Sequence, residues 1–224
     1  MTDLSLNGPL VQLFISAFVT LFVVIDPPGC VPIFSSLTAG TTPKHRRDMA
    51  VRSSLIAAVV LIAFALGGEA FLSALGITLP AFKIAGGLMV FVIAIDMVFE
   101  KRTQRRETRA EGVKSAADAA GKPLEEEDIS VFPMAIPMLA GPGSIASVML
   151  LSARTDGDVT KEAVVLGALV TVLLLTLLCL LAAGPMMKLM GAKFEGALTR
   201  LLGVVLAALA AQFVIDGIKQ SFGL

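Results

Sequence analysis

The sequence predicts an all-α polytopic membrane protein with six transmembrane helices, and its composition gives the first indication. Of the 224 residues, 56% are hydrophobic and 16% are charged, and the mean hydropathy is +0.86. A soluble domain is nearer to half apolar and a quarter charged, so we expect this chain in a membrane. The apolar residues form six segments, most of them near the roughly 20 residues that a spanning helix needs. No segment shows the alternation of a barrel strand, which leaves helices as the spanning elements.

The six segments fall into two groups of three, separated by a charged stretch. The segments cover approximately residues 9–38, 53–74, 80–99, 129–153, 163–183 and 197–218. We therefore divide the single membrane domain into a first three-helix repeat, a charged linker and a second three-helix repeat. These are residues 1–99, 100–128 and 129–224. The linker mixes both signs of charge with little apolar content, and we interpret it as solvated and partly helical.

The basic residues are distributed unevenly between the two sides of the membrane. Of the 18 Lys and Arg residues, 14 follow the first, third and fifth segments, and 4 lie on the opposite side. Cytoplasmic loops of membrane proteins carry an excess of Lys and Arg. The sequence therefore predicts that both termini are periplasmic and that the linker is cytoplasmic.

The first and fourth segments are interrupted by residues that break helices. Proline removes a backbone donor and clashes with the preceding turn, so both segments are predicted to be discontinuous. Two interrupted hydrophobic segments in corresponding positions of two halves indicate the binding site of a transporter. The candidate substrate-binding residues are Asp26, Pro27, Pro28, Gly29, Cys30, Gly141, Pro142, Gly143 and Ser144.

Asp26 has two compatible interpretations. An aspartate followed by proline at the first helical position is a good helix start, which would make Asp26 an N-cap. A carboxylate at bilayer depth is also costly and tends to be functional. In that case Asp26 would pair with a substrate ammonium group, or would carry H⁺ or Na⁺.

The second break, Gly141 to Ser144, favours an anion. Ser144 can cap the half-helix that follows, whose free N–H groups would point at the break. With the helix dipole they would suit a substrate carboxylate. The alternative is a proline kink whose polar groups are satisfied by neighbouring helices.

The third and sixth segments share a basic residue followed three positions later by glycine: Lys83 with Gly86, and Arg200 with Gly203. Three spans in each half is an odd number, so the second half would run inverted relative to the first. We expect Lys83 and Arg200 to form equivalent structural ion pairs, with snorkelling to the lipid headgroups as the alternative. The acidic residues near helix ends are interpreted as interfacial. They are Glu69, Asp96 and Asp216.

Several classes of function find no support in the sequence. The formal net charge is zero, which gives no electrostatic case for nucleic acid binding. Cys30 and Cys179 lie in different segments without a CxxC or a Cys/His cluster, so no metal site or cofactor is predicted. We find no nucleophile with a base and no catalytic pair, and we predict no enzymatic activity.

Three stretches resemble the MarC family, and the resemblance extends over essentially the whole chain. They are residues 22–34, residues 135–145 and residues 83–87, with the Asp-Pro-x-Gly and Ala-Gly-Pro-Gly elements as the most specific parts. The resemblance implies a bacterial inner-membrane protein with a transporter fold, in a family that includes neutral amino-acid transporters. Cys30 departs from the family, because a polar Asn is common at that position.

The resulting hypothesis is a secondary transporter of a small neutral amino acid, glycine or alanine in size. It would work by alternating access between the two halves, surrounded by membrane lipid. The substrate carboxylate would bind near Ser144 and its ammonium group near Asp26. The coupling ion, H⁺ or Na⁺, is left open. The alternatives are a channel or exporter of another small solute, or a membrane protein with no transport role.

Overall fold

The computed structural model describes residues 8–99, 101–119, 128–189 and 192–223, and within these ranges no strand occurs. The elements are α1 (Pro9–Ile25), α2 (Pro27–Leu37), α3 (Pro43–Ala74), α4 (Leu79–Val98), α5 (Lys101–Ala119), an irregular π-helical segment (Ser130–Leu139), α6 (Pro142–Ser152), α7 (Val159–Leu181), α8 (Ala183–Leu189) and α9 (Ala192–Phe222).

The predicted class, an all-α polytopic membrane protein, is confirmed. In the described part of the chain, five helical ranges are long and apolar enough to cross a membrane: 9–37, 43–74, 79–98, 159–181 and 199–222. A sixth is obtained if the irregular segment and α6, which meet at an angle of 52°, are counted together. The first and fourth segments are both discontinuous, as predicted. The relation of the two halves as inverted repeats stays a prediction.

Polar caps and prolines define where the helices begin. Thr42 accepts a hydrogen bond from the backbone N–H of His45 at the start of α3, and Thr78 caps α4 in the same way. Both helices carry proline in their first turn, where its missing N–H costs nothing. The cap at Thr42 places the start of α3 well before the predicted residue 53. The basic first turns of α3 therefore extend the helix beyond its apolar part.

Helices α4 and α9 pack against each other in antiparallel directions through glycines. A Cβ atom on Gly217 would lie 2.8 Å from a side-chain carbon of Ile84, and one on Gly203 would lie 3.0 Å from the Cβ of Met97. Near the middle, a Cβ on Gly87 would lie 3.0 Å from the backbone oxygen of Ala210. Small residues at such positions let two helix backbones approach closely.

The charged linker is helical over α5, as expected, but its interpretation as solvated is wrong for one face of that helix. Arg106 and Ala110, one helical turn apart, are only 5% and 3% exposed. This face of α5 packs against α2 and α4. Residues 100 and 120–127 of the predicted linker lie outside the described residues. The docked face of α5 brings arginines to the break in the first segment.

The close contact at Gly87 predicts a specific sensitivity to side-chain size. We expect Gly87→Leu to lower the thermal stability of the purified protein, because the new side chain meets backbone that cannot move aside, at a cost of about 1–3 kcal/mol. Gly67→Leu is the matched control, since a Cβ on Gly67 meets nothing within 4 Å. Equal melting temperatures for the two variants would contradict the tight α4–α9 packing.

Candidate functional site

The first break is a single residue, Asp26, in the left-handed conformation with φ 59° and ψ 66°. Aspartate is among the few residues that adopt this conformation at modest cost. Its Oδ1 accepts a hydrogen bond of 3.1 Å from the backbone N–H of Gly29, so Asp26 caps α2. A Cβ atom on Gly29 would collide with this carboxylate. The local sequence therefore holds the Asp26 carboxylate at the junction of two half-helices.

Asp26 is also one half of a buried ion pair. Nη1 of Arg106 lies 2.9 Å from its Oδ2, and the two side chains are 7% and 4% exposed. The other guanidinium nitrogen of Arg106 donates to the backbone oxygen of Ile25 at 3.4 Å, and Arg102 donates to the backbone oxygen of Val24. The last carbonyls of a helix have no partner within the helix. Two arginines of α5 therefore satisfy the end of α1 that the break exposes.

The second break is wider and lacks a side-chain cap. Phe132 and Ile136 have extended backbone angles inside the irregular segment, and α6 then begins at Pro142. The N-cap is Gly141 and not Ser144 as predicted, and no side chain bonds to the free N–H groups of the cap. Ser144 instead lies in the first turn of α6. A Cβ atom on Gly141 would collide with the carbonyl oxygen of Pro137, which explains glycine at this turn.

Helix α4 lies directly against the first turn of α6. A Cβ atom on Gly143 would collide with the end of the Ile93 side chain, so glycine allows this approach without a shift of Ile93. Farther along, a Cβ on Gly86 would lie 3.1 Å from a methyl carbon of Leu150, which makes α4 and α6 antiparallel. Asp96 follows Ile93 by one helical turn and therefore lies just beyond the N-terminal end of α6.

A cavity of about 140 Å³ opens at this junction. It is smaller than the roughly 300–1,000 Å³ of pockets for drug-sized ligands. Its lining residues are Val24, Ile93, Asp96, Arg102, Arg105, Arg106, Arg109, Pro137, Met138, Gly141, Pro142, Gly143 and Ser144. Ser144, a residue only 2% exposed, lies in the first turn of α6 and lines the cavity. The cavity thus presents a serine side chain beside helix N–H groups that no side chain caps.

The electrostatics of the cavity favour an anion. Four arginines of α5 line it, and Asp96 is the acidic residue in its described lining. Among the described residues, ion pairs join Arg106 to Asp26 and Arg105 to Asp96. Burial, and secondly the charge of Arg106, lower the pKa of Arg102 to about 10, so its guanidinium stays protonated at neutral pH. The N-terminus of α6 adds its positive dipole end. A small solute with a carboxylate fits this environment.

The structure brings only part of the predicted site together. Gly141, Pro142, Gly143 and Ser144 all line the cavity. From the first break, Asp26 reaches the cavity through Arg106. The other four predicted residues of that break do not line it, and they are Pro27, Pro28, Gly29 and Cys30. Cys30 is fully buried, and its thiol lies 3.6 Å from the backbone oxygen of Ile25, so it packs in the core.

The two predicted structural ion pairs differ from each other. Lys83 is 3% exposed, and its ammonium group donates to the side-chain oxygen of Gln220 at 2.9 Å, so its hydrogen-bond partner is a neutral amide. It lines a polar cavity of about 270 Å³ together with Asp156 and Asp216. Arg200 is exposed on α9. Because α4 and α9 are antiparallel, the two basic residues lie at opposite ends of the pair.

The acidic residues interpreted as interfacial have separate roles. Asp96 pairs with Arg105 at the arginine-lined cavity, and Asp216 pairs with Arg154 at 2.8 Å. Glu69 lines a larger cavity of about 440 Å³ at the C-terminal end of α6.

Sequence reasoning missed the arginines of α5, although a signal was present. Arg102, Arg105, Arg106 and Arg109 recur at spacings of three and four, which places them on one side of a helix. Such a stripe suits a helix that docks on acidic partners as well as one in solvent. The composition of the linker alone favoured solvent.

The comparisons with known proteins agree with the membrane architecture. The model of the MarC family, described as MarC family integral membrane protein, matches residues 11–222. A UPF0056 membrane protein of Methanocaldococcus jannaschii is 38% identical over 209 residues, which are 93% of this chain and 97% of that protein. The UPF0056 inner membrane protein YhgN of Escherichia coli is 37% identical over 210 residues, 92% of this chain and 96% of that protein.

A third relative, a UPF0056 membrane protein of Archaeoglobus fulgidus, is 32% identical over 207 residues, which are 92% of each chain. No solved structure matches the chain significantly. The family match covers nearly the whole length, and it includes both broken segments and α5. The chain therefore belongs to the MarC family of integral membrane proteins.

Proposed function

We propose that this protein is a secondary transporter of small neutral amino acids, glycine or alanine in size, that works by alternating access in a bacterial inner membrane. The observation that carries the proposal is the small cavity at the second break. It combines uncapped N–H groups of α6, the side chain of Ser144 and a lining in which arginines outnumber aspartate. The resemblance to a family that includes neutral amino-acid transporters supports the same substrate class.

The substrate carboxylate would bind at the first turn of α6. Backbone N–H groups at a helix start are a ready anion site, and a hydroxyl adds a further donor. Ile93 packs against Gly143 and limits the space next to the carboxylate. The small volume, about 140 Å³, fits a substrate with a short side chain. Larger amino acids would require the surrounding helices to move apart.

The pair of Asp26 and Arg106 would join the linker helix to the moving parts. Arg106 ties α5 to the break between α1 and α2, and α5 also lines the cavity beside α6. A change in backbone conformation at either break would therefore displace α5. This coupling suits a transporter in which opposite sides of one site open in turn.

The orientation belongs to the same proposal. Six spans place both termini on one side, and the excess of basic residues after the first, third and fifth segments assigns that side to the periplasm. The arginine-lined cavity would then face the cytoplasm through α5. A gradient of H⁺ or Na⁺ would drive net transport.

Transport is tested with the purified protein in proteoliposomes. We expect saturable uptake of labelled glycine or alanine, and stimulation by unlabelled substrate on the opposite side. Imposing a pH gradient or a Na⁺ gradient separately identifies the coupling ion. A channel would instead give conductance without counterflow. Uptake equal to that of empty liposomes for every neutral amino acid would overturn the proposal.

The buried ion pair predicts an asymmetric response to charge removal. Asp26→Asn keeps most of the capping ability but removes the anion paired with the buried Arg106, so we expect destabilisation of about 3–5 kcal/mol. The double variant Asp26→Asn/Arg106→Gln should regain part of that loss, because neither charge remains.

The control for this experiment is Asp216→Asn, whose ion pair with Arg154 is 27% and 31% exposed and is expected to contribute less. Thermal stability of the four proteins, measured in the same detergent, provides the comparison. If Asp26→Asn has the melting temperature of the wild type, the Asp26–Arg106 pair is not a structural requirement.

Topology is tested independently of transport. We expect a periplasmic reporter fused to the C-terminus to be active, and the same reporter inserted within 120–127 to be inactive, because of the distribution of basic residues. The reverse pattern would show that the cavity faces the periplasm through α5.

A further inference from the structure

Two aspartates contact the arginines of α5, and they differ in how firmly their partners are held. For Asp26, both the carboxylate and the guanidinium of Arg106 are buried, at 4% and 7% exposure. Both carboxylate oxygens have partners, because Oδ1 also caps α2 at Gly29. Removing one member of such a pair leaves an uncompensated buried charge, which is strongly unfavourable. Asp26 is therefore poorly suited to release Arg106 for a substrate.

Asp96 has the opposite character. Its side chain is 12% exposed, but that of its partner Arg105 is 64% exposed. The guanidinium of Arg105 is already mostly hydrated and leaves the pair at small cost, whereas the largely buried carboxylate of Asp96 needs another cation in its place. The guanidinium of Arg105 can therefore leave Asp96 and remain solvated. The carboxylate of Asp96 stays in place, since its backbone belongs to the well-packed helix α4.

The position of Asp96 places it at the substrate site. It lines the cavity together with Gly141, Gly143 and Ser144. It follows Ile93, which packs on Gly143, by one turn of α4. A solute with its carboxylate at the first turn of α6 would therefore have Asp96 as its neighbour. Asp96 is the acidic side chain in the described lining of this cavity.

We propose that Asp96 is the carboxylate that binds the substrate's ammonium group, which displaces Arg105, while the substrate's carboxylate lies at the first turn of α6. This assignment rests on the proposed function and replaces Asp26 in the role of ammonium partner. The exchange keeps the charge on Asp96 compensated, because one cation leaves as another arrives. The incoming carboxylate offsets the excess of arginine.

The assignment makes a prediction about specificity. A carboxylate without an amino group, such as propionate, would use the α6 site but would not need Asp96. L-Alanine would need both. Asp96 would therefore discriminate between a zwitterion and a simple anion of the same length. Asp26 would not discriminate between them, since Arg106 compensates its charge whichever ligand is bound.

The test compares binding of L-alanine and propionate to the purified full-length protein. For Asp96→Asn we expect alanine to bind about ten- to a hundredfold more weakly, which is the loss of one charge-assisted hydrogen bond. Propionate should bind as in the wild type or more tightly, because the cavity becomes more positive. Asp216→Asn is the matched control, because Asp216 lies at the end of the α4–α9 pair that is distant from Asp96. It should leave both affinities unchanged.

A second variant guards against a folding defect in Asp96→Asn. Arg105→Gln removes the competitor for Asp96, so we expect alanine to bind as tightly as in the wild type or more tightly. Weaker alanine binding in Arg105→Gln would overturn the exchange. Wild-type alanine affinity in Asp96→Asn, or equal losses for alanine and propionate, would overturn the role of Asp96. A wild-type protein that binds neither ligand would overturn the proposed function itself.

Discussion

The ion pair between Asp26 and Arg106 is the interaction on which the rest of the structure depends. It lies where α1 and α2 meet, and both charges are buried. Charges at such depth are stable only when paired and hydrogen-bonded. Asp26 meets this condition through Arg106 and the N–H of Gly29, and Arg106 through Asp26 and the backbone oxygen of Ile25. The same contacts fix the position of α5 beside the membrane helices.

The two helix breaks solve the same chemical problem in different ways. Each break exposes backbone groups that the helix itself cannot satisfy. At the first break, side chains of α5 bond to the carbonyl oxygens of Val24 and Ile25. At the second break, no side chain caps α6, and Ser144 in its first turn lines a small cavity. The first break is thus capped and paired by side chains, whereas the second opens onto a cavity.

The sequence predicted most of the fold and about half of the candidate site. The membrane segments and both breaks follow from apolar length and proline, which act locally, and the structure confirms them. The contribution of α5 could not be predicted from composition. A helix in solvent and a helix docked on a carboxylate can have the same charged composition. Asp96 was assigned to the interface since its position near a helix end did not reveal Arg105 or α6. Cys30 was placed in the site, but it points into the core.

The separation of Asp26 and Arg106 along the chain has a consequence for how the protein is made. Arg106 follows Asp26 by 80 positions, and a ribosome adding about 5–20 residues per second needs roughly 4–16 s to cover them. During that time α2 to α4 are synthesised while the carboxylate of Asp26 does not yet have Arg106. An aspartate at the centre of an inserting helix costs about 2.5–3.5 kcal/mol. The first half of the protein therefore enters the membrane incomplete, and the synthesis of α5 is the step that completes it.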